Sequence, residues 1–352
     1  MDPKHSIRAL FKAHQYERAI EALQPMLNQK DTRHFALVNL GLALYRTKRT
    51  PLAIEALKES LDLRARLAEA ESLLGQCYLR LGDYKTGWPL YESRLKVKGH
   101  LEHYAEDLLP LPQQPEDIIR KRLFVHSKQG LGDTIQFVRY LLPLSEIAEI
   151  QAVEIDECLL PLLRDQYPGL TFVPKGTPNL YRADFQVPLL SLPYYLGSEA
   201  PLEIKPRATP QAVTRDNGRM GICWRGSALH RNRATRDVSL QDMIALCSTE
   251  SKLVCLQKDP TKEDIALLEQ HGVEVPRLNG DFRQTAELLR GVSKVSTVDT
   301  AMVHLAGSGG VVTNLYLEQA PDWRWGEVGT STSWYPETLL KRTHNVEYST
   351  IK

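Results

Sequence analysis

No stretch of about 18 consecutive apolar residues occurs in the chain, so the sequence offers no membrane-crossing helix. An excess of one charge is also lacking. Lys and Arg total 44 against 43 Asp and Glu, for a formal net charge of +1. That balance argues against general binding to nucleic acid or a membrane surface and leaves room only for a local basic cleft. Cysteine is scarce, and the five present (Cys77, Cys158, Cys223, Cys247 and Cys255) never form a CxxC pair. The common zinc and redox spacings are therefore absent, and Cys223 and Cys255, set in apolar runs, read as buried thiols. The opening residues, MDPKHSIRALFKAHQYERA, carry charges throughout and no apolar stretch, so no secretory leader is expected. A reducing cytoplasm is the expected location. No paired-acid metal motif stands out, and neither metal nor cofactor is expected. What is present is 352 residues, 42% of them hydrophobic, which suffices for a large core divided over two or three domains.

The first quarter repeats. Tyr16, Thr50 and Tyr84 open YERAIEAL, TPLAIEAL and YKTGWPLY, each 34 residues after the last. Ala19, Ala53 and Gly87 keep that step, as do Leu23, Leu57 and Tyr91, and Gly41 and Gly75. Small residues at helical spacing let paired helices approach, and the large ones fill the gaps between pairs. Pro51 suits a first helical turn. This 34-residue helical period resembles the tetratricopeptide repeat (TPR), with about two and a half units between Ser6 and Lys96. The expected repeat domain is 1–98. Its concave face could hold a peptide, or the array could only pack on the next domain; the pattern leaves both open. From 99 to 121, Pro110, Pro112 and Pro115 mark a linker.

Strands and helices then alternate, which argues for parallel sheets. In the first half, 122–205, RLFVH from Arg122 reads as a strand, SKQGLGD from Ser127 to Asp133 as a glycine-bearing loop, and Thr134–Leu142 as a helix. Gly130 and Gly132 would allow tight turns and close approach of a ligand. The loop is neither GxGxxG nor a P-loop, since the third glycine and the GK[ST] ending are missing. Asp133 falls where loop becomes helix, at the C-terminal end of a strand, where open parallel sheets place their sites. A plain N-cap is the other reading. Further strands are expected at Gln151–Ile155, Leu170–Val173 and Asp184–Val187.

In the second half, 206–352, three strands end in polar groups: Arg225 and Ser227; Gln257 and Lys258; Asp299, Thr300 and His304. The last set belongs to KVSTVDTAMVHLAGSGG, read as a buried strand, N-cap residue types at Asp299 and Thr300, and a helix from Ala301 that either offers its N–H groups as an anion site or is one more capped βα unit. If these strands are neighbours, the groups converge on one crevice suited to a diphosphate. The basic loop from His230, with Arg231, Arg233 and Arg236, reads either as a solvated loop or as one that closes on the ligand. Asp322, Trp323 and Trp325 could contact a base or sugar, and buried structural indoles are the alternative.

QGLGDTIQFVRYLLP, ICWRGS, LQKD, VDTAMVHLAG and APDWRW together resemble the GT-B glycosyltransferases. They are most similar to the family 9, heptosyltransferase-like group, in particular to bacterial proteins that join tetratricopeptide repeats to such a domain. A more distant likeness is to the O-linked N-acetylglucosamine transferases. GLGD and VDTAxxHLAG, with Asp133 and Asp299 separated by 166 residues, carry most of this. The resemblance implies an α-helical TPR domain followed by an α/β GT-B fold, two Rossmann-like halves facing a cleft. It implies Asp133 as general base, a donor-phosphate segment of Asp299, Thr300, Ala301 and His304, a diphosphate-binding Lys258, and a first donor loop with Arg225 and Ser227. After Gly307 the chain reads SGGVVTNLYLE, where such proteins usually carry a Gly-Lys/Arg-Pro turn. The implied activity is metal-independent, inverting transfer from a nucleotide-diphosphate sugar to an acceptor hydroxyl on a protein, peptide or glycan. Rival readings are a TPR scaffold with an inactive GT-B domain, and a nucleotide-sugar epimerase.

Overall fold

The computed structural model describes residues 3–97, 109–177, 182–203, 218–227, 233–247, 252–278 and 280–342. They form two compact units. The first comprises the described residues of Met1–Ala105 with Gly197–Ala200 and Ala320–Gly329; the second holds the rest.

The first unit is built on helices α1 (Pro3–Lys12), α2 (Tyr16–Leu27), α3 (Arg33–Arg46), α4 (Thr50–Leu63), α5 (Ala68–Arg80) and α6 (Tyr84–Tyr91). Each packs on the next in sequence. Helices α2, α4 and α6 begin at the three residues that set the 34-residue step. The repeated glycines mark the crossings. A Cβ on Gly41 would fall 2.7 Å from Leu57 Cγ, and one on Gly75 would fall 2.5 Å from the Tyr91 amide nitrogen. A distant segment completes this unit. Arg80 is buried and donates to Tyr45 O at 2.6 Å and Pro321 O at 2.7 Å. The Thr50 N–H and hydroxyl, in the first turn of α4, both donate to Glu327 Oε1. A carboxylate at a helix N-terminus satisfies an orphan donor and complements the dipole.

The second unit contains two all-parallel sheets. The first has β1 (Arg122–His126), β2 (Glu149–Ile155), β3 (Phe172–Pro174) and β4 (Phe185–Pro188), in the order β3-β2-β1-β4. Helices α7 (Leu131–Phe137) and α8 (Leu141–Ile147) follow β1; α9 (Leu160–Gln166) follows β2; α10 (Leu192–Tyr195) follows β4. The second sheet has β5 (Arg219–Cys223), β6 (Lys252–Cys255), β7 (Lys294–Val298), β8 (Val312–Leu317) and β9 (Thr338–Arg342), in the order β6-β5-β7-β8-β9. Between its strands lie α11 (Arg233–Arg236), α12 (Leu240–Cys247), α13 (Lys262–Gln270), α14 (Phe282–Leu289) and α15 (Ala301–Ser308). Apolar strand residues are covered by helix faces: Ile222, Leu253 and Cys255 pack with Met243, Ile244 and Leu268 in one buried cluster.

Both sheets grow first to one side and then to the other. The reversal falls between β1 and β4 in the first sheet and between β5 and β7 in the second. Crevices at the carboxyl ends of such strands are where open α/β sheets bind ligands.

Three expectations change here. The helix after β1 starts at Leu131, three residues earlier than expected, so Asp133 lies inside its first turn. The described part of the expected linker packs on the first sheet: Gln186 binds Leu109 O and Pro110 O, and the Tyr195 hydroxyl donates to Pro112 O at 3.0 Å. Residues 99–108 lie outside the described residues. Strand β9, Thr338–Arg342, is not among the strands expected from the sequence.

Candidate functional site

The site is assembled where the two sheets' reversal points present helix N-termini. β1 ends in His126, and the chain turns through Ser127, held by its N–H on Glu154 O at 2.9 Å and by its hydroxyl on Thr134 Oγ1 at 2.5 Å. Gly130 is the N-cap of α7, and Asp133 Oδ2 accepts the Gly130 N–H at 3.2 Å. Asp133 thus fixes the helix start as the third residue of α7, half-buried, instead of capping it.

In the second sheet β7 delivers Asp299 and Thr300 to the start of α15. Thr300 is the N-cap, its hydroxyl accepting the Met302 N–H at 3.2 Å. Helix α15 packs directly on α7. A Cβ on Gly132 would fall 2.6 Å from His304 Cδ2, 3.3 Å from His304 Nε2 and 3.4 Å from Ala301 Cα. Gly132 is therefore demanded by the imidazole that rests on it, a correction to the expectation of tight turns. Neither Gly130 nor Gly132 has a positive φ. His304 is buried in this seam, with Nδ1 2.8 Å from the Tyr335 hydroxyl. Tyr335 is fully buried and fits because Gly307 has no side chain: a Cβ there would lie 2.5 Å from the ring. The sequence reading misses Tyr335, since nothing local links an aromatic to a histidine 31 residues earlier.

The strand ends of β5, β6 and β7 do converge, around Cys223. Its Sγ lies 3.4 Å from Gln257 Oε1 and 3.9 Å from Thr300 Oγ1. Burial pushes this thiol up to about 11, so it stays protonated at neutral pH. Gln257 Oε1 also accepts the Arg225 N–H at 3.2 Å, and Gln257 Nε2 donates to Asp259 Oδ1 at 2.8 Å. Gln257 is thus a buried brace between strand ends.

The cations differ from expectation. The Arg225 guanidinium is held by Asp264 Oδ2 at 2.5 Å and Asp259 O at 2.6 Å. Burial works against ionisation of Asp264, but the Thr261 N–H and Arg225 together hold its carboxyl below the ordinary range. Arg225 therefore has a counter-charge inside the protein and ties the end of β5 to α13. Ser227 is exposed beyond it. Lys258 is exposed, forms no ion pair among the described residues, and sits over the Phe282 ring, Nζ 5.9 Å from its centroid. Its charge also reaches Cys158, just beyond β2: burial raises that thiol's pKa, and Lys258 opposes the rise. Lys258 thus lies just beyond the carboxyl end of β6, in the second sheet. Arg231 lies outside the described residues.

Asp322, Trp323 and Trp325 are placed elsewhere. Trp323 and Trp325 are 1% and 2% exposed and belong to the helical unit. Trp323 meets Trp88 edge-on at 5.3 Å and Tyr91 at 6.0 Å. An indole enclosed by aromatic side chains has no face left for a base, so the stacking role is corrected to a packing one. Asp322 Oδ1 binds Arg324, through its N–H at 3.1 Å and Nη1 at 2.7 Å. Among the described residues no group of three or more His, Cys, Asp or Glu could hold a metal ion, and no helix is long and apolar enough to cross a membrane.

No family model and no curated protein matches the chain. Several solved structures do. Two are of the iron-containing dodecameric glycosyltransferase TibC of enterotoxigenic E. coli. One matches at 15% identity and TM-score 0.42 over 59% of each chain. The other, titled a heptosyltransferase in complex with ADP-D-beta-D-heptose, matches at 14% and 0.43 over 65% of this chain and 64% of that one. A glycosyl transferase family 9 protein of Veillonella parvula matches at 13% and 0.43, over 64% of this chain and 87% of that one. A Thermobaculum terrenum O-GlcNAc transferase mutant matches at 15% and 0.28, over 92% and 84%. The chain thus spans less than two thirds of the TibC chains. Likeness at these TM-scores carries no argument for fold or activity, and the fold rests on the topology above.

Proposed function

We propose that the second unit is a GT-B glycosyltransferase domain that moves a sugar from a nucleotide-diphosphate donor to an acceptor hydroxyl, inverting the anomeric carbon and using protein cations in place of a metal. The observation that carries this is the seam between α7 and α15. It sets a carboxylate, Asp133, one residue from a glycine that touches the helix whose N-terminus is the anion site. In this reading the donor diphosphate lies over the start of α15, near Thr300, Ala301, His304 and Lys258. Asp133 takes the acceptor's proton as its oxygen bonds to the sugar carbon. The bond from that carbon to phosphate breaks, and the leaving diphosphate carries its electron pair into the field of Lys258 and the helix N–H groups. The helical unit, with its 34-residue step, is read as a tetratricopeptide array for a protein or peptide acceptor; a glycan acceptor is the alternative.

The same carboxylate favours a second reading. Asp133 already binds the Gly130 N–H, a sufficient structural reason for its presence in an inactive scaffold. Asn at this position keeps an acceptor for that N–H and loses the base. The test incubates the full chain with ADP-, UDP- and GDP-linked sugars, with and without peptide and glycan acceptors, and reads the products by mass spectrometry. Transfer that falls about 10²–10⁴-fold in D133N, with donor binding kept, supports the base. Equal transfer by D133N removes Asp133 from the mechanism. Sugar conversion without acceptor indicates an epimerase. No donor binding at all leaves the scaffold.

A further inference from the structure

The second sheet carries an arginine that the mechanism above does not use. Arg236 ends α11 and is only 8% exposed. Its guanidinium lies across Gly226, just beyond β5: a Cβ on that glycine would fall 1.8 Å from Nη2 and 2.4 Å from Cζ. β5 neighbours β7, so Arg236 stands at the same reversal point as the start of α15. Among the described residues its ion-pair partner is Asp237, whose Oδ1 is 3.5 Å from Nε and already accepts the Gly226 N–H at 3.1 Å. Neither Nε nor Nη2 makes a hydrogen bond among the described residues. Buried donors are rarely left so unless another group supplies the acceptor. Arg225, on the same strand end, differs in having both Asp264 and Asp259 O as acceptors.

We infer that Arg236, rather than Arg225, supplies the guanidinium that holds the donor's diphosphate; this rests on the transferase reading above. Two adjacent phosphates offer oxygens that match the planar fork of a guanidinium. The N–H groups of α15 rise from the next strand and favour the same negative charge. Gly226 fits this role, because any side chain there would displace the guanidinium. The burial also predicts a stability signature. Arg236→Met keeps the apolar stem and removes the unmet donors, so the ligand-free protein loses only the long ion pair with Asp237, whose Oδ1 keeps the Gly226 N–H.

The test is thermal unfolding of the full chain, wild type and the variants R236M and R236K, alone and with ADP, UDP, GDP or inorganic pyrophosphate. Ligand-free R236M is expected to unfold at or above the wild-type temperature. A nucleoside diphosphate that stabilises wild type should shift R236M by less than about a third as much, with partial recovery in R236K. Equal shifts in wild type and R236M overturn the inference and leave the transferase reading standing. So does a ligand-free loss of about 5 °C or more in R236M with its ligand shift kept, which marks a structural tie. If no nucleoside diphosphate shifts wild type, the transferase reading fails and pyrophosphate decides alone. A pyrophosphate shift in wild type and not in R236M keeps Arg236 as an anion site; none in either overturns it.

Discussion

At the scale of single residues, the contact between Gly132 and His304 is the most exacting. His304 cannot retreat, because the buried Tyr335 holds its Nδ1. A methyl group at 132 therefore overpacks the seam, at about 1–3 kcal/mol, partly offset by the better helix propensity of Ala. Denaturant unfolding of G132A, H304A and the double variant should show strong coupling, with H304A relieving the cost of the methyl; additive effects would mean the contact is not rigid. His126 makes a second prediction. Burial depresses its pKa to about 3, with Lys128 adding a smaller push. A depressed folded pKa means the unfolded chain binds the proton first. Stability is then complete above about pH 6.5 and is lost as pH falls toward 3, by up to ~1.4 kcal/mol per unit. Melting temperatures of H126F should fall less steeply over that window than those of wild type; parallel curves would assign the acid sensitivity to other groups. Residue types were readable in the sequence, but partners were not. Arg225 looked like a ligand cation because its neutraliser, Asp264, is 39 residues away.

At the scale of elements, the strands β1, β5 and β7 follow from short β-branched and apolar runs. Thr261, Asp281 and Thr300 cap helices as their types suggest. Strand β9 was not legible. Its TLLKR alternates buried and exposed residues over only five positions and is paired on one side, by β8. The segment from Ala320 to Gly329 was misplaced for a related reason. It belongs to the helical unit through contacts such as Glu327 with Thr50, 277 residues apart, which leave no local pattern. W323F tests this placement. It should destabilise the protein by about 1–3 kcal/mol, as imperfect refilling of an aromatic site does, while nucleotide affinity stays within about twofold of wild type. A tenfold loss of affinity without loss of stability would return Trp323 to the ligand.

At the scale of the whole molecule, the alternation of strands and helices made the parallel sheets legible, and the 34-residue step made the helical unit legible. What no pattern disclosed is that α7 and α15, from different sheets, share one seam. That juxtaposition brings together residues 172 apart in sequence, Gly132 and the His304 imidazole that rests on it. On it rests the proposal that both sheets serve one site for a nucleotide-linked sugar. The most direct measurement is a calorimetric titration of the full chain with ADP, UDP and GDP, repeated on Lys258→Ala. The account predicts that at least one of the three binds at one site per chain, with Kd of roughly 1 µM–1 mM, and that K258A weakens it about tenfold or more. Failure of all three to bind at millimolar concentration, or binding that K258A leaves unchanged, would contradict it.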